Sequence, residues 1–421
     1  MEQEKKREQI LERIEEEDVE FIRLQFTDMF GTLKNLAVTS GQMRRAMAGG
    51  CRIDGAAIRG LDLEDTEELF LRPDLDTFCI LPWRPQQGKV ARLLCDICRI
   101  DGEPVEESPR YILRKVLKEA KEKGYRFSAE PECEFFLFHT DENGIPTTLT
   151  HEKAGYLDLS PLDFGENARR DMVLTLEDMG YEIETSCHGK APGQHQINFS
   201  CQEGMELADS LITFKTAVRT VAKRHGLHAT FMPKPQNDIQ GSGMHLKLFL
   251  QKEGRDVFAS EDGLSQEAMY FIGGLKRHTK AMAAITNPLV NSYKRLVPGF
   301  EAPLGLGTGR EALVQIPHPG RHGQKIEFRL PDASSNPYLT LALCLSAGLD
   351  GIERQLDPSQ EQAELPGNLL EAVRVMEEDC FIRSVLGGGF ADRYGKEKRQ
   401  EWNRYMDQVT QWEIKEYLYR I

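Results

Sequence analysis

Three short segments, far apart in the chain, share one pattern: apolar strand-forming residues with a charged or imidazole side chain at every second position. They are Glu132-Cys133-Glu134-Phe135-Phe136-Leu137-Phe138, Gly241-Ser242-Gly243-Met244-His245-Leu246-Lys247-Leu248 and Lys325-Ile326-Glu327-Phe328-Arg329-Leu330. Side chains alternate between the two faces of a strand, so Glu132 and Glu134 share a face, as do His245 with Lys247 and Glu327 with Arg329. Two carboxylates crowded on a buried strand repel, and burial raises the cost unless a cation or a donor compensates. Taken singly, each segment has a plain reading: a strand end in water, a structural histidine, a surface ion pair. Taken together, hard oxygen and imidazole ligands on three strands predict one divalent site of the Mg²⁺ or Mn²⁺ type, and the lack of clustered thiolates disfavours zinc.

The rest of the chain bounds what can surround such a site. A length of 421 residues favours one large domain plus a smaller one. With 40% hydrophobic and 29% charged residues the composition is that of a soluble globular protein, and no apolar stretch approaches the roughly 20 residues that span a bilayer. The opening MEQEKKREQILERIEEED is charged throughout and lacks the pattern of a secretory signal, so the protein is expected in the cytosol and away from membranes. A formal net charge of −14 argues against a nucleic-acid partner, which needs a basic face. The nine cysteines are scattered apart from Cys95-Asp-Ile-Cys98, and that pair sits in a strand-like run, VARLLCDICRI, without a second pair to make a zinc site.

Periodicity predicts a charged amphipathic helix over 3–17, a strand over 19–28 and a turn at Met29-Phe30-Gly31-Thr32. An extended pair follows, TFCILPW with KVARLLCDICRI, and a helix over 108–124 then opens with proline in its first turn. The boundary falls near residue 105, giving a strand-rich unit over 1–105 and a larger unit over 106–421. Lys294-Arg295, Arg310 and Arg329 are candidates for gripping phosphate or a substrate carboxylate in forked geometry.

The ordered set ECEFFLF, APGQHQINF, HGLHATFMPKP, GSGMH, TNPLVNSYKRLVPGFEAP, IEFRLPDASSNPYL and AGLDGI, with DGAAIRG near the start, resembles the successive signatures of bacterial-type glutamine synthetases. The resemblance spans nearly the whole chain. It implies an α+β fold, with an N-terminal β-grasp-like domain and a catalytic domain built on a curved antiparallel sheet with helices. It implies ATP as cofactor, glutamate as substrate, and self-association into two stacked hexameric rings in which the Asp54 loop completes a neighbour's site. By the same resemblance, Glu132, His245 and Glu327 hold the metal that clamps the ATP phosphates. Gly241 and Arg295 hold substrate glutamate, Glu301 is a flap carboxylate, Arg310 and Arg329 are phosphate and transition-state cations, and Glu184 meets the ribose. Lys247 is expected to point into the same cavity, either to neutralise Glu134 or to touch a nucleotide phosphate.

Departures from the family pattern cluster at the substrate end. The second metal needs three carboxylates, and only Glu134 remains, because its partners fall at Gly189 and Gln196. The carboxylate missing at Gly189 is also one that helps hold ammonium and takes its proton. Ala56 and Ala57 replace serines beside Asp54, Gln315 stands where an arginine is usual, and Gly307-Thr308-Gly309 lacks the usual side chains before Arg310. The expectation is therefore an ATP-dependent carboxylate–amine ligase, poor with ammonia, holding one divalent ion rather than two and suited to an organic amine. The alternative is a catalytically inactive relative with a regulatory or structural binding role.

Overall fold

A computed structural model of the chain describes residues 2–61, 68–84, 87–261, 263–296, 306–307, 312–360 and 365–421. Its N-terminal unit opens with α1 (Glu2–Glu16), followed by β1 (Val19–Thr27), β2 (Leu33–Thr39), α2 (Met43–Met47), β3 (Cys51–Asp54), β4 (Glu68–Pro73), β5 (Cys79–Ile80) and β6 (Lys89–Cys98). These strands form a six-stranded sheet in the order β2-β1-β6-β4-β3, with β5 beside β6 and with β1 and β6 parallel. One face buries Ile22, Leu24, Leu69, Leu71, Leu93 and Ile97 around Ile14 of α1. Cys95 and Cys98 are free, buried thiols on β6. The second half of β1 is covered on both faces, more than simple alternation predicts. The β1–β2 turn is tucked onto the larger unit, where Asn336 Nδ2 donates to Met29 O at 3.2 Å.

The larger unit starts with α3 (Pro109–Glu122), whose proline sits in the first turn where no backbone donor is missed. Its long strand β7 (Tyr125–His139) is followed by α4 (Glu166–Glu177), β8 (Ile183–His188), β9 (Gln194–Phe199), β10 (Gln202–Glu203), α5 (Gly204–Arg224), β11 (Leu227–Thr230) and β12 (Met244–Lys252). Short strands β13 (Arg255–Asp256), β14 (Ala259–Ser260) and β15 (Gly263–Leu264) lead to α6 (Gln266–Thr286) and α7 (Val290–Leu296). Then come β16 (Leu306–Gly307), β17 (Val314–Gln315), β18 (Ile326–Phe328) and α8 (Pro337–Arg354), with helices α9 to α12 (Leu369–Glu378, Cys380–Leu386, Gly388–Met406, Gln411–Tyr417) at the C-terminal end.

The larger sheet has ten strands, with the main order β16-β17-β18-β12-β7-β9-β8 and every pairing but β16–β17 antiparallel. The odd positions of β7 (Phe127, Ala129, Cys133, Phe135, Leu137) belong to the same core as Leu246, Leu248 and Phe328 and the buried stripe of α5. The even positions are left to form the other face. Behind the sheet α6 and α8 approach so closely that a Cβ at Gly274 would lie 1.9 Å from Ala347 O, and one at Gly351 2.1 Å from Tyr270 O. Only glycine permits that contact.

The two units are joined by a buried charge cluster. Arg110 of α3 donates to Asp96 on β6 at 2.8 Å, to Asp74 after β4 at 2.7 Å, and through two nitrogens to Asp209 on α5 at 3.0 and 2.8 Å. Among the described residues no helix is long and apolar enough to cross a membrane.

Candidate active site

Strand register decides which polar residues meet on the open face. His245 of β12 lies opposite Glu132 of β7, while Lys247 lies between Glu130 on one side and Glu327 of β18 on the other. On the other flank of β7, Glu132 faces Asn198 and Glu134 faces Gln196 of β9. Alternation thus brings the three predicted segments onto one face of one sheet.

Glu132, His245 and Glu327 converge there, each offering one ligand atom within 4.8 Å of the others. His245 Nδ1 is 3.1 Å from Glu327 Oε1 and 3.5 Å from Glu132 Oε2. Two carboxylates and an imidazole in this spacing suit a hard divalent cation, so the residues fit the metal the family resemblance implies. Burial works to raise the pKa of Glu132, but hydrogen bonding to His245 and the charge of Lys247 outweigh it and bring it down to about 2. Burial likewise opposes the charged form of His245, yet its contacts with Glu132 and Glu327 raise its pKa above the ordinary value.

Cations hem in this triad. Lys247 Nζ is 2.5 Å from Glu132 Oε1, Arg329 Nε is 3.3 Å from Glu327 Oε1, and Lys325 Nζ is 3.0 Å from Glu130 Oε2. The ion pair of Lys247 with Glu132 corrects one expectation, that it reaches Glu134. Lys247 lies opposite Glu130, and four residues of strand put Glu134 roughly 13 Å further along, beyond the span of a lysine side chain.

Glu134 sits in different company. Its carboxylate accepts from Gly243 N at 2.7 Å, and Gln196 across the ladder turns its amide to Asn198 Oδ1 at 2.9 Å. At Gly189, a Cβ would lie 2.6 Å from Gln194 Cγ. The buried Gln194 side chain fills that space: its Oε1 accepts from Lys190 N and Ala191 N, both at 3.1 Å, and its Nε2 donates to Gly241 O at 3.2 Å. A second dication at the substrate end therefore does not fit the residues present, since among Glu134, Gly189 and Gln196 only one carboxylate is available.

Gly241 and Arg295 are brought together. A Cβ at Gly241 would lie 2.2 Å from Pro233 O and 3.0 Å from Arg295 Cγ, so a glycine is required. Arg295 at the end of α7 donates to Leu330 O at 2.5 Å. Gln315 on β17 is in register with Glu327, which puts a neutral amide beside the metal triad. Two predicted residues stand apart from the triad. Glu184 is exposed on the edge strand β8. Asp54 is exposed at the end of β3 in the N-terminal sheet, accepting from Ala56 N at 3.0 Å. Glu301 and Arg310 lie outside the described residues.

Sequence reasoning missed a second, fully buried group of Glu152, Asp163, His188 and His195. Most of its polar atoms have internal partners, the buried His195 Nε2 being the exception. His188 Nε2 is 2.8 Å from Glu152 Oε1, whose carboxylate also accepts from Phe164 N and Gly193 N. Arg169 NH1 lies 2.6 Å from Asp163 Oδ2 and 2.7 Å from His195 Nδ1. Burial first and Arg169 second push the pKa of His195 well below the ordinary value, so the ring is neutral and accepts from the guanidinium. With a guanidinium already inside, this group pins the β8–β9 hairpin and does not invite a metal. A cleft of about 790 Å³ lies elsewhere, at the junction of the two units. Its lining includes Arg110, paired with three aspartates, and among the described residues it has no convergent ligand set comparable to the triad.

Comparison with known proteins agrees with the fold. A family model described as "Glutamine synthetase, beta-Grasp domain" matches residues 18–100, and one described as "Glutamine synthetase, catalytic domain" matches residues 106–417. A glutamine synthetase of Clostridium saccharobutylicum is 50% identical over 435 residues, covering 98% of each chain. One of Thermus thermophilus is 44% identical, covering 97% of this chain and 98% of the relative. Among solved structures, "Apo GmaS without ligand" is similar with a TM-score of 0.88 at 33% identity, and "GmaS/ADP complex-Conformation 1" with 0.87 at 32%. Each covers 97% of this chain and 99% of its own.

Proposed function

Since the chain belongs to the glutamine synthetase family, we propose that it is an ATP-dependent ligase that activates the γ-carboxyl of glutamate, holds one divalent ion, and works poorly with free ammonia. The observation that carries this reading is the contrast between an intact nucleotide-side triad and a substrate end left with Glu134 alone. In this chemistry a γ-carboxylate oxygen attacks the terminal phosphorus of ATP and ADP departs. An amine nitrogen then attacks the acyl carbon, phosphate leaves, and the amine gives up a proton.

The residue roles are those the family resemblance implies. Glu132, His245 and Glu327 would hold Mg²⁺ or Mn²⁺, which when bound offsets phosphate charge. Arg329 and Lys247 border that triad and present cations to the phosphates. Arg295 beside Gly241 would orient the substrate, and Glu184 would meet the ribose. Glu301 and Arg310 keep their roles as flap carboxylate and phosphate cation. Deprotonation of the amine is the step with least support, because no carboxylate stands at Gly189. Asp54, remote from its own triad, makes sense if it enters the site of a neighbouring copy in stacked hexameric rings, with the domain boundary near residue 105. Light scattering that finds a monomer at micromolar concentration would remove that role.

A second reading, a non-catalytic relative, is favoured by one observation: each carboxylate of the triad already has a side-chain cation or imidazole beside it. The two readings separate in one assay. The purified protein is given ATP, glutamate and a panel of amines including ammonia, and γ-glutamyl products are followed by mass spectrometry together with ADP release. An ATP-dependent product with an organic amine supports the ligase; no product with any amine supports the binding protein; ammonia turned over at an ordinary enzyme's ~1–10³ s⁻¹ defeats both.

A further inference from the structure

The cations around the triad are distributed in a particular way. On the open face of the sheet Lys325 pairs with Glu130, Arg329 with Glu327, and Lys247 with Glu132. Register offers Lys247 two other carboxylates, Glu130 and Glu327, directly opposite on its two neighbouring strands. Both have partners of their own, Lys325 on the first and His245 with Arg329 on the second. Lys247 therefore reaches diagonally to the metal ligand Glu132, and its ammonium lies closer to that carboxylate, at 2.5 Å, than His245 does at 3.5 Å.

We propose that Lys247 is a tethered cation that occupies the Glu132 arm of the metal site until a nucleotide phosphate draws it away, so that divalent-ion binding and nucleotide binding are coupled through this one side chain. The proposal rests on the reading of Glu132, His245 and Glu327 as a divalent-ion site. A dication on Glu132 would meet an ammonium 2.5 Å from the same carboxylate, and two cations cannot share it without repulsion. Lysine suits an exchange of this kind: its charge is a compact point on a flexible four-carbon stem, and it binds phosphate as readily as carboxylate. Its side chain is 15% exposed, so it is not sealed from an arriving ligand. Arriving phosphate takes the ammonium, and the freed carboxylate oxygen becomes available to the ion. Each ligand then raises the affinity for the other by the same factor, as linkage requires.

The test uses the full chain and a metal-binding readout. Mn²⁺ is titrated without nucleotide, and the free ion is followed by electron paramagnetic resonance, for the unmodified protein, Lys247→Met, Lys247→Gln and Lys247→Arg. Removing the competing charge is expected to tighten Mn²⁺ binding about tenfold or more in the Met and Gln variants, while Arg, which keeps the charge, stays near the unmodified value. ADP affinity is then measured at low and at saturating Mn²⁺. Chelation of Mn²⁺ by ADP affects every protein alike, so the additional coupling in the unmodified protein over Lys247→Met is the contribution of this side chain. Equal or weaker Mn²⁺ binding by both neutral variants overturns the proposal and leaves the metal site standing. If none of the four proteins binds Mn²⁺, the reading of the triad itself fails, and the proposal with it.

Discussion

Gly189→Ala probes why the substrate end lacks a carboxylate. The added Cβ would lie 2.6 Å from Gln194 Cγ, 2.8 Å from its Oε1 and 2.9 Å from its Cβ. These contacts are too short to keep, and Gln194 is wholly buried, so the amide must leave its present position. Leaving breaks the bonds from Lys190 N and Ala191 N and the bond to Gly241 O. At about 1 kcal/mol net per bond, with part of the loss recovered by repacking, the substitution should cost roughly 2–4 kcal/mol. Urea unfolding measures this as a lower midpoint at unchanged slope. In a Gln194→Ala background two of the three close atoms are gone, so the same substitution should cost half as much or less, and the coupling between the sites becomes visible in the cycle. A Gly189→Ala protein within about 0.5 kcal/mol of the unmodified one would refute the reasoning, because the loop would then have room for a carboxylate. The outcome bears on function: if the cost is real, putting Glu back at 189 displaces the Gln194 staple to Gly241 O before it builds a metal site.

Three further outcomes are expected. A Mn²⁺ soak followed by anomalous scattering should show at most one well-ordered ion per chain, at Glu132, His245 and Glu327; two ions at full occupancy would contradict the fit of the substrate end. Arg110→Met leaves Asp209 buried without its cation and Asp96 with Arg114 alone, so it should cost about 3–5 kcal/mol in chemical denaturation; a loss below about 1 kcal/mol would show that the cluster is not what joins the two units. The pair His188–Glu152 should contribute most between pH 4.5 and 6.5. Burial opposes both charges but their mutual hydrogen bond prevails, raising the His188 pKa above 6.5 and lowering that of Glu152 below 4.5. The histidine's contribution is complete below 6.5 and fades as pH rises through its folded value; the glutamate's is complete above 4.5 and fades as pH falls through its own. The difference in melting temperature between the unmodified protein and His188→Gln should therefore shrink towards pH 9, and a difference that does not change with pH would count against the charged pair.

How much of this could be read in the sequence depends on the kind of pattern each feature leaves. The alternation in 132–138, 244–248 and 325–330 gave the face of every polar residue on β7, β12 and β18, because a strand's period of two is a local property. The early helix and the proline-led helix α3 were legible for the same reason. Partners across the ladder were not. Lys247 shares a face with Glu130, Glu132, Glu134 and Glu327, and parity alone cannot choose among them. Register chooses, and it is fixed by hydrogen bonds between segments far apart in sequence.

The group around Glu152 and His188 was invisible for a related reason. Its members come from a loop, the approach to α4 and the two strands of a hairpin at its turn end, so no period links them, and their burial follows only from the way the hairpin folds back on β7. Gly189 is instructive in the other direction. Family resemblance identified it as a lost ligand, whereas the structure adds that Gln194, five residues on, stands in the space a side chain would need. A missing carboxylate and an occupied cavity are different physical states. The first could be reversed by one substitution at no steric cost; the second couples that substitution to the Gly241–Ser242 segment before β12 through the Gln194 amide, and so ties the amine end of the site to the residues proposed to hold glutamate.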